Sequence, residues 1–251
     1  MQLAFGVATL KNQWFGDKHD YFKYDLWLEV AQKVKGIGKR TFIPMFTASK
    51  APYPKGKRRE RLYAFLQSHC FPKHRSVTRL GDFLHEELEH HTYHAYHDND
   101  EAGFENGSWK DYFRDVQDEW LNDVAILIDP DTGIKLEKCK DPEKYVTFDD
   151  IAQIMRGRDI NSVVLITQFL VKNAHLREKQ LKEKRQLLRE RLCDANCGSI
   201  GVFSLVERTK NSLGEIAFFI IPVGMQISEK LCPVLREHAK IHGLQLRGQL
   251  K

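Results

Sequence analysis

Apolar positions recur at helical spacing between Asp20 and Val34, where Phe22, Leu26, Val30 and Ala31 form one stripe and Asp20 stands as an N-cap or first-turn acid. The run Arg40 to Phe46 (RTFIPMF) predicts a short strand. Arg59 to Leu66 and Arg79 to His91 read as helices, as does Ser108 to Leu121, with Trp109, Phe113, Val116 and Trp120 on one face. Val124 to Ile128 (VAILI) and Val163 to Thr167 (VVLIT) are unbroken apolar runs of the kind buried on both faces of a parallel sheet. Between them Thr147 to Met155 predicts a helix with Thr147 as N-cap and Asp149 and Asp150 in its first turn. Asn173 to Leu192 is a long, charged, leucine-punctuated helix. Ser199 to Val206 and Glu215 to Pro222 are two strands separated by Asn211-Ser212-Leu213-Gly214, and Gln226 to His242 is a closing helix.

The second half therefore runs strand, helix, strand, helix, strand, strand, helix. Strands alternating with helices require right-handed crossovers and hence a mostly parallel sheet. Two neighbouring strands near the end add a hairpin, so one antiparallel strand joins that sheet. The pattern predicts an α/β, Rossmann-like fold, as in the class I methyltransferases, although the pattern is not unique to them. No internal repeat and no long Ser/Gly/Pro linker divides residues 1–251, which read as a single domain.

Composition changes this picture little. Hydrophobic residues at 42% and charged residues at 29% are ordinary globular values, which excludes a collagenous or low-complexity chain. No apolar run reaches the roughly 18–20 residues that span a bilayer, so no membrane partner is expected. The start, Met1-Gln2-Leu3-Ala4-Phe5-Gly6, lacks the pattern of a secretory signal, and the five cysteines read as reduced thiols of a cytoplasmic protein. A net charge of +5 permits a nucleic-acid partner without arguing for one.

Four segments could carry chemistry. Ile128-Asp129-Pro130-Asp131-Thr132-Gly133 follows directly on a buried strand, and ligands of open α/β sheets bind outside the carboxyl ends of the strands. Asp129 and Asp131 could there orient an amine, act as a base or hold a divalent cation; the bland alternative is an Asp-Pro turn. Asn12 to Tyr24 is dense in ionisable groups (Asp17, Lys18, His19, Asp20, Lys23) and turns at Gly16 into a helix start, where anions bind readily; a solvated helix face would look similar. The third segment holds His85, Glu86, Glu87, His90, His91, His94 and His97. On a helix His90 and His94 would share one face as metal ligands, but no HExxH order or cysteine pair supports them. The basic stretch Lys55-Gly56-Lys57-Arg58-Arg59, with Tyr63 and Phe65 nearby, could engage phosphates or simply be solvated. The cysteines form no ligand pairs, and no GxSxG elbow or Walker loop is present.

Two of these segments together resemble an uncharacterised family of bacterial and phage-associated proteins. That family carries N-[KQ]-Y-x-G-D-x-x-D-[YF]-x-K-Y and a later DPD[NT]G followed by KYV. Here the first reads Asn12-Gln13-Trp14-Phe15-Gly16-Asp17 with Asp20-Tyr21-Phe22-Lys23-Tyr24, and the second Asp129-Pro130-Asp131-Thr132-Gly133 with Lys144-Tyr145-Val146; Trp14 replaces the tyrosine. The pair is remotely similar to the adenine-N6 methyltransferases of large-subunit ribosomal RNA, which open a helix with G-N-x-x-D-x-x-K-H and carry DPPY after the fourth strand. The resemblance implies S-adenosylmethionine as cofactor and nucleic acid as partner. Gly16, Asp17, His19, Asp20 and Tyr24 would line the cofactor side. Lys23, Asp129 and Asp131 would be catalytic, with Asp129 accepting from a target amine. The chain departs from that pattern in Asp131-Thr132 for Pro-Tyr and in Thr47-Ala48-Ser49-Lys50 where a glycine-rich turn would follow the first strand. A metal-dependent nuclease is the alternative, with Asp129, Asp131 and Glu137 on Mg²⁺ or Mn²⁺ and Lys135 or Lys138 nearby. A third reading is a degenerate fold kept for nucleic-acid or protein binding.

Overall fold

The computed structural model describes residues 18–45, 60–68, 80, 83, 92–95, 113, 116–135, 144–155, 161–194, 201–208 and 213–248. In chain order the elements are α1 (Lys18–Lys33), β1 (Lys39–Pro44), α2 (Glu60–Ser68), β2 (Thr92–Ala95), β3 (Val124–Asp129), β4 (Gly133–Ile134) and β5 (Tyr145–Val146). There follow α3 (Phe148–Met155), β6 (Ser162–Phe169), α4 (Ala174–Asp194), β7 (Phe203–Arg208), β8 (Leu213–Val223), α5 (Met225–His242) and β9 (Leu244–Arg247).

Seven strands form one sheet in the order β2-β1-β3-β6-β8-β7-β9, and β4 pairs with β5 in a separate parallel ribbon. The strands β2, β1, β3 and β6 are mutually parallel. β8 runs antiparallel to β6, β7 antiparallel to β8, and β9 antiparallel to β7. β7 thus points with the first four strands, while β8 and β9 oppose them. The architecture is a mixed α/β fold on a mostly parallel sheet. The expected single antiparallel strand is corrected to two, because β9 adds itself beyond the hairpin.

Both sheet faces are covered, which is why the central strands read as unbroken apolar runs. On one face Phe42, Leu127, Leu165, Phe203, Leu205 and Phe218 pack under α1, α2 and α5. On the other Ile43, Ile126, Ile128, Ile166, Phe219 and Ile221 pack under α3 and α4. Two further expectations change. The end of the stretch predicted as a helix from Ser108 to Leu121 is a single 3-10 turn, Asp118–Trp120, because Gln117 adopts an extended conformation (φ −64°, ψ 139°) and breaks any continuous helix. His94 lies on β2 and not on a helix, so its proposed helical spacing from His90 does not hold. The rest of the histidine segment, the basic stretch Lys55 to Arg59, Gly16, Asp17 and Glu137 lie outside the described residues. Among the described residues no helix is long and apolar enough to cross a membrane.

The cap expected at Thr147 is present and reciprocal. The Asp150 backbone N–H donates to Thr147 Oγ1 (3.1 Å), while Thr147 N–H and its hydroxyl donate to Asp150 Oδ2 (2.8 and 2.6 Å). This is a capping box closed by an aspartate. Burial pushes the Asp150 carboxyl above its usual 3.8, against the lowering effect of the Thr147 hydrogen bonds.

Candidate functional site

The strand order fixes where a ligand site can lie. The chain leaves β1 for β2 on one side and later returns to β3 on the other, so the carboxyl ends of β1 and β3 flank a topological switch point. Asp129 is the last residue of β3, paired in register with Pro44 of β1. Its backbone carbonyl accepts from Met45 N–H at 3.0 Å, which holds the two strand ends together.

Helix α1 is pinned over this region by Trp27, whose indole N–H donates to the Ala125 carbonyl at 2.9 Å. Lys23 lies one helical turn before Trp27, and Asp129 four residues beyond Ala125, so α1 runs back along β3. Helical side chains lean toward the helix N-terminus, which here is toward the strand's carboxyl end. Lys23 Nζ consequently reaches Asp129 Oδ2 at 2.6 Å and Asp20 Oδ1 at 2.7 Å. The Thr167 hydroxyl, from the neighbouring strand β6, donates to Asp129 Oδ1 at 2.6 Å. The Lys23 and Asp20 side chains are 8% and 4% exposed; that of Asp129 is 16% exposed and so is the member open to a ligand. Among the described residues two carboxylates, Asp20 and Asp129, thus stand around one ammonium. Each oxygen of Asp129 keeps a further lone pair, so the carboxylate can still accept from an incoming N–H or O–H.

The turn that follows is a rigid platform. Gly133 has φ +127°, and a Cβ there would stand 2.4 Å from the Gln168 amide oxygen. Gln168 itself accepts from Ile134 N–H (3.0 Å) and donates to the Thr132 carbonyl (3.1 Å), and Lys184 of α4 donates to the Ile134 carbonyl. Asp131, on this turn, is partly exposed.

Of the residues singled out in the sequence, Asp20, Lys23 and Asp129 thus come together, and Asp131 follows two residues on. Tyr24 is buried, with its ring edge-on to Phe42 (centroids 5.8 Å apart) and tilted against Trp27. His19 lies on α1. Thr167 was read only as the end of a strand; its place on β6, next to β3, is what makes it part of the site.

No protein-family model matches the chain, and no curated protein matches it. Among solved structures it is similar to one titled as the crystal structure of protein LPL1258 from Legionella pneumophila, family-model DUF519. The identity is 10%, the TM-score 0.44, and the match covers 94% of this chain and 97% of that one. A likeness of that degree assigns neither fold nor function.

Proposed function

We propose that the chain is a Rossmann-like, S-adenosylmethionine-dependent methyltransferase acting on nucleic acid, related to the phage-associated proteins and ribosomal RNA adenine-N6 methyltransferases that it resembles. The observation that carries the reading is the position of Asp129: the end of the strand at the switch point, followed by Pro130 and gripped by Lys23 of the first helix. The strand order beside it supports the same reading, because an antiparallel strand, β8, is inserted between β6 and β7 at the end of a parallel sheet.

In this reading S-adenosylmethionine, when bound, would supply an electrophilic methyl group. Asp129 would accept from a target amine, orient it and take up the proton that the amine gives up. Lys23 and the Thr167 hydroxyl would hold Asp129 in place, and Asp20 would help to hold Lys23. The turn Asp131 to Gly133, clamped by Gln168, borders the substrate side.

The nuclease alternative is less well supported. It needs a metal ion at Asp129, where the Lys23 ammonium already sits 2.6 Å from Oδ2.

The test is calorimetric titration of the purified protein with S-adenosylhomocysteine, beside the same titration with Mn²⁺. Saturable binding of the thioether, with methyl transfer to RNA or DNA abolished in Asp129→Ala, is the expected result. No binding of S-adenosylhomocysteine at millimolar concentration overturns the cofactor assignment. Mn²⁺ binding lost in Asp129→Ala would move the assignment to phosphoryl-transfer hydrolysis.

A further inference from the structure

We infer that Asp25, His238 and His242 form a binding site for a divalent transition-metal ion, Zn²⁺ by its chemistry, that clips α1 to α5. His238 and His242 are four residues apart on α5, so their imidazoles share one face of the helix. Their ring centroids are 4.3 Å apart. Asp25 projects from α1 onto that face, and its Oδ2 lies 3.2 Å from His242 Nε2. One ligand atom from each of the three residues lies within 4.8 Å of the other two. Among the described residues this is the group of three ligating side chains that converges in this way.

Distances decide how close the arrangement is to a coordination shell. Zn²⁺ holds nitrogen and oxygen ligands at about 2.0–2.2 Å in a tetrahedron, which places ligand atoms about 3.4 Å from one another. The Asp25–His242 pair already has that separation. With all three ligand atoms within 4.8 Å of one another, His238 has to close by at most about 1.4 Å. Two imidazoles and one carboxylate suit Zn²⁺ and its first-row neighbours, whereas Ca²⁺ and Mg²⁺ call for shells built of oxygen.

Burial supports the same conclusion. Asp25 is 2% and His238 0% exposed, so an ion held between them would be shielded from water on that side. The His242 side chain is 18% exposed, so the fourth coordination position would open toward solvent for a water. The site lies on a seam already tied elsewhere by charge, since Lys33 of α1 reaches Glu237 of α5 at 3.2 Å. Asp25 is two residues along α1 from Lys23, so a metal there would also hold the helix that presents Lys23 to Asp129.

The test uses the full chain stripped with a chelator, then titrated with Zn²⁺ alone and, separately, with Co²⁺ as a spectroscopic stand-in. The expected result is one ion bound per chain, a rise in melting temperature, and a visible Co²⁺ absorption of tetrahedral intensity. His242→Ala, at the open edge, and Asp25→Asn, of unchanged shape, should each weaken binding by more than the roughly 10–100-fold that loss of an outer-shell partner costs. His175→Ala, at an exposed position of α4, should bind as the wild type does. Neither test variant deletes the fully buried His238, so folding is retained and checked by circular dichroism. Absence of Zn²⁺ uptake overturns the inference and leaves the contact between Asp25 and His242 as a link between the two helices. Uptake undiminished in both variants overturns it equally, by placing the ion elsewhere.

Discussion

Lys23→Met is the most direct probe of the cluster at the end of β3. The substitution keeps the apolar stem and deletes the ammonium, leaving the Asp20 and Asp129 carboxylates facing the vacated place. At contacts of 2.7 and 2.6 Å, an effective dielectric of about 20 gives each attraction on the order of 6 kcal/mol. Desolvation of the three charges cancels most of that, and stripping one partner from a buried pair costs about 3–5 kcal/mol in practice. Asp129 retains some contact with water, so the loss should fall at the low end, about 3 kcal/mol. In a chain of this size that lowers the melting temperature by roughly 6–12 °C. Urea denaturation and thermal melts of the two proteins would measure it. Adding Asp20→Asn to the Lys23→Met background removes one of the two like charges and should return at least about 1 kcal/mol, although Asp20→Asn alone should destabilise the wild type. A Lys23→Met protein within about 0.5 kcal/mol of wild type, or no recovery in the double variant, would refute the reasoning.

Gly133→Ala forces a Cβ against the Gln168 amide at a positive φ and should cost about 2 kcal/mol or more in urea unfolding; an unchanged midpoint would show that the turn is not clamped. Thr147→Ala opens the capping box of α3 and should cost about 1 kcal/mol by the same assay. Because burial raises the Asp150 carboxyl above 3.8, the folded protein holds that proton more tightly than the unfolded chain does. Its contribution to stability is therefore fully present in acid and falls as pH rises from about 3.8 through the raised value. Asp150→Asn should remove that fall, so wild-type stability minus variant stability decreases across the window; an increase would contradict the sign. Arg177 donates to the carbonyls of Val171 (2.8 Å), Lys172 (3.1 Å) and Leu213 (2.7 Å). Arg177→Lys cannot reproduce that fork and should destabilise by about 2–3 kcal/mol, with a wild-type melting temperature as the refuting result.

Elements whose burial is written into local periodicity were legible from the residues alone. VAILI and VVLIT became β3 and β6 because both sheet faces are covered, and the stripe beginning at Phe22 became α1. β9 escaped because Leu244 to Arg247 is a four-residue edge strand, half-buried throughout, with too few turns of alternation to register. At the site, Lys23 and Asp129 each stood out by type and context. Their pairing spans 106 residues and is set by how α1 lies along β3, which no local pattern encodes. Thr167 was hidden for the same reason. The Asp25, His238 and His242 group had a readable half, two histidines four apart on a predicted helix, but its third member comes from the opposite end of the chain. The histidine-rich segment around His94 drew notice by density, while the convergent group has only two histidines.

The change of strand direction at β6 also divides the molecule in time. β7 and β8 pair across a short connection, whereas β1 pairs with β3 only after some eighty residues have been looped out. Loop closure makes the second pairing slower and entropically dearer. The hairpin and its neighbour β6 should therefore form the persistent body of the protein, with β1 and α1 docking on it late and leaving it first. Amide hydrogen exchange would register this as slow exchange through β6–β8 and faster exchange in α1 and β1. Lys23 would then meet Asp129 only when the last piece has seated, which makes the cluster a local reporter of complete folding.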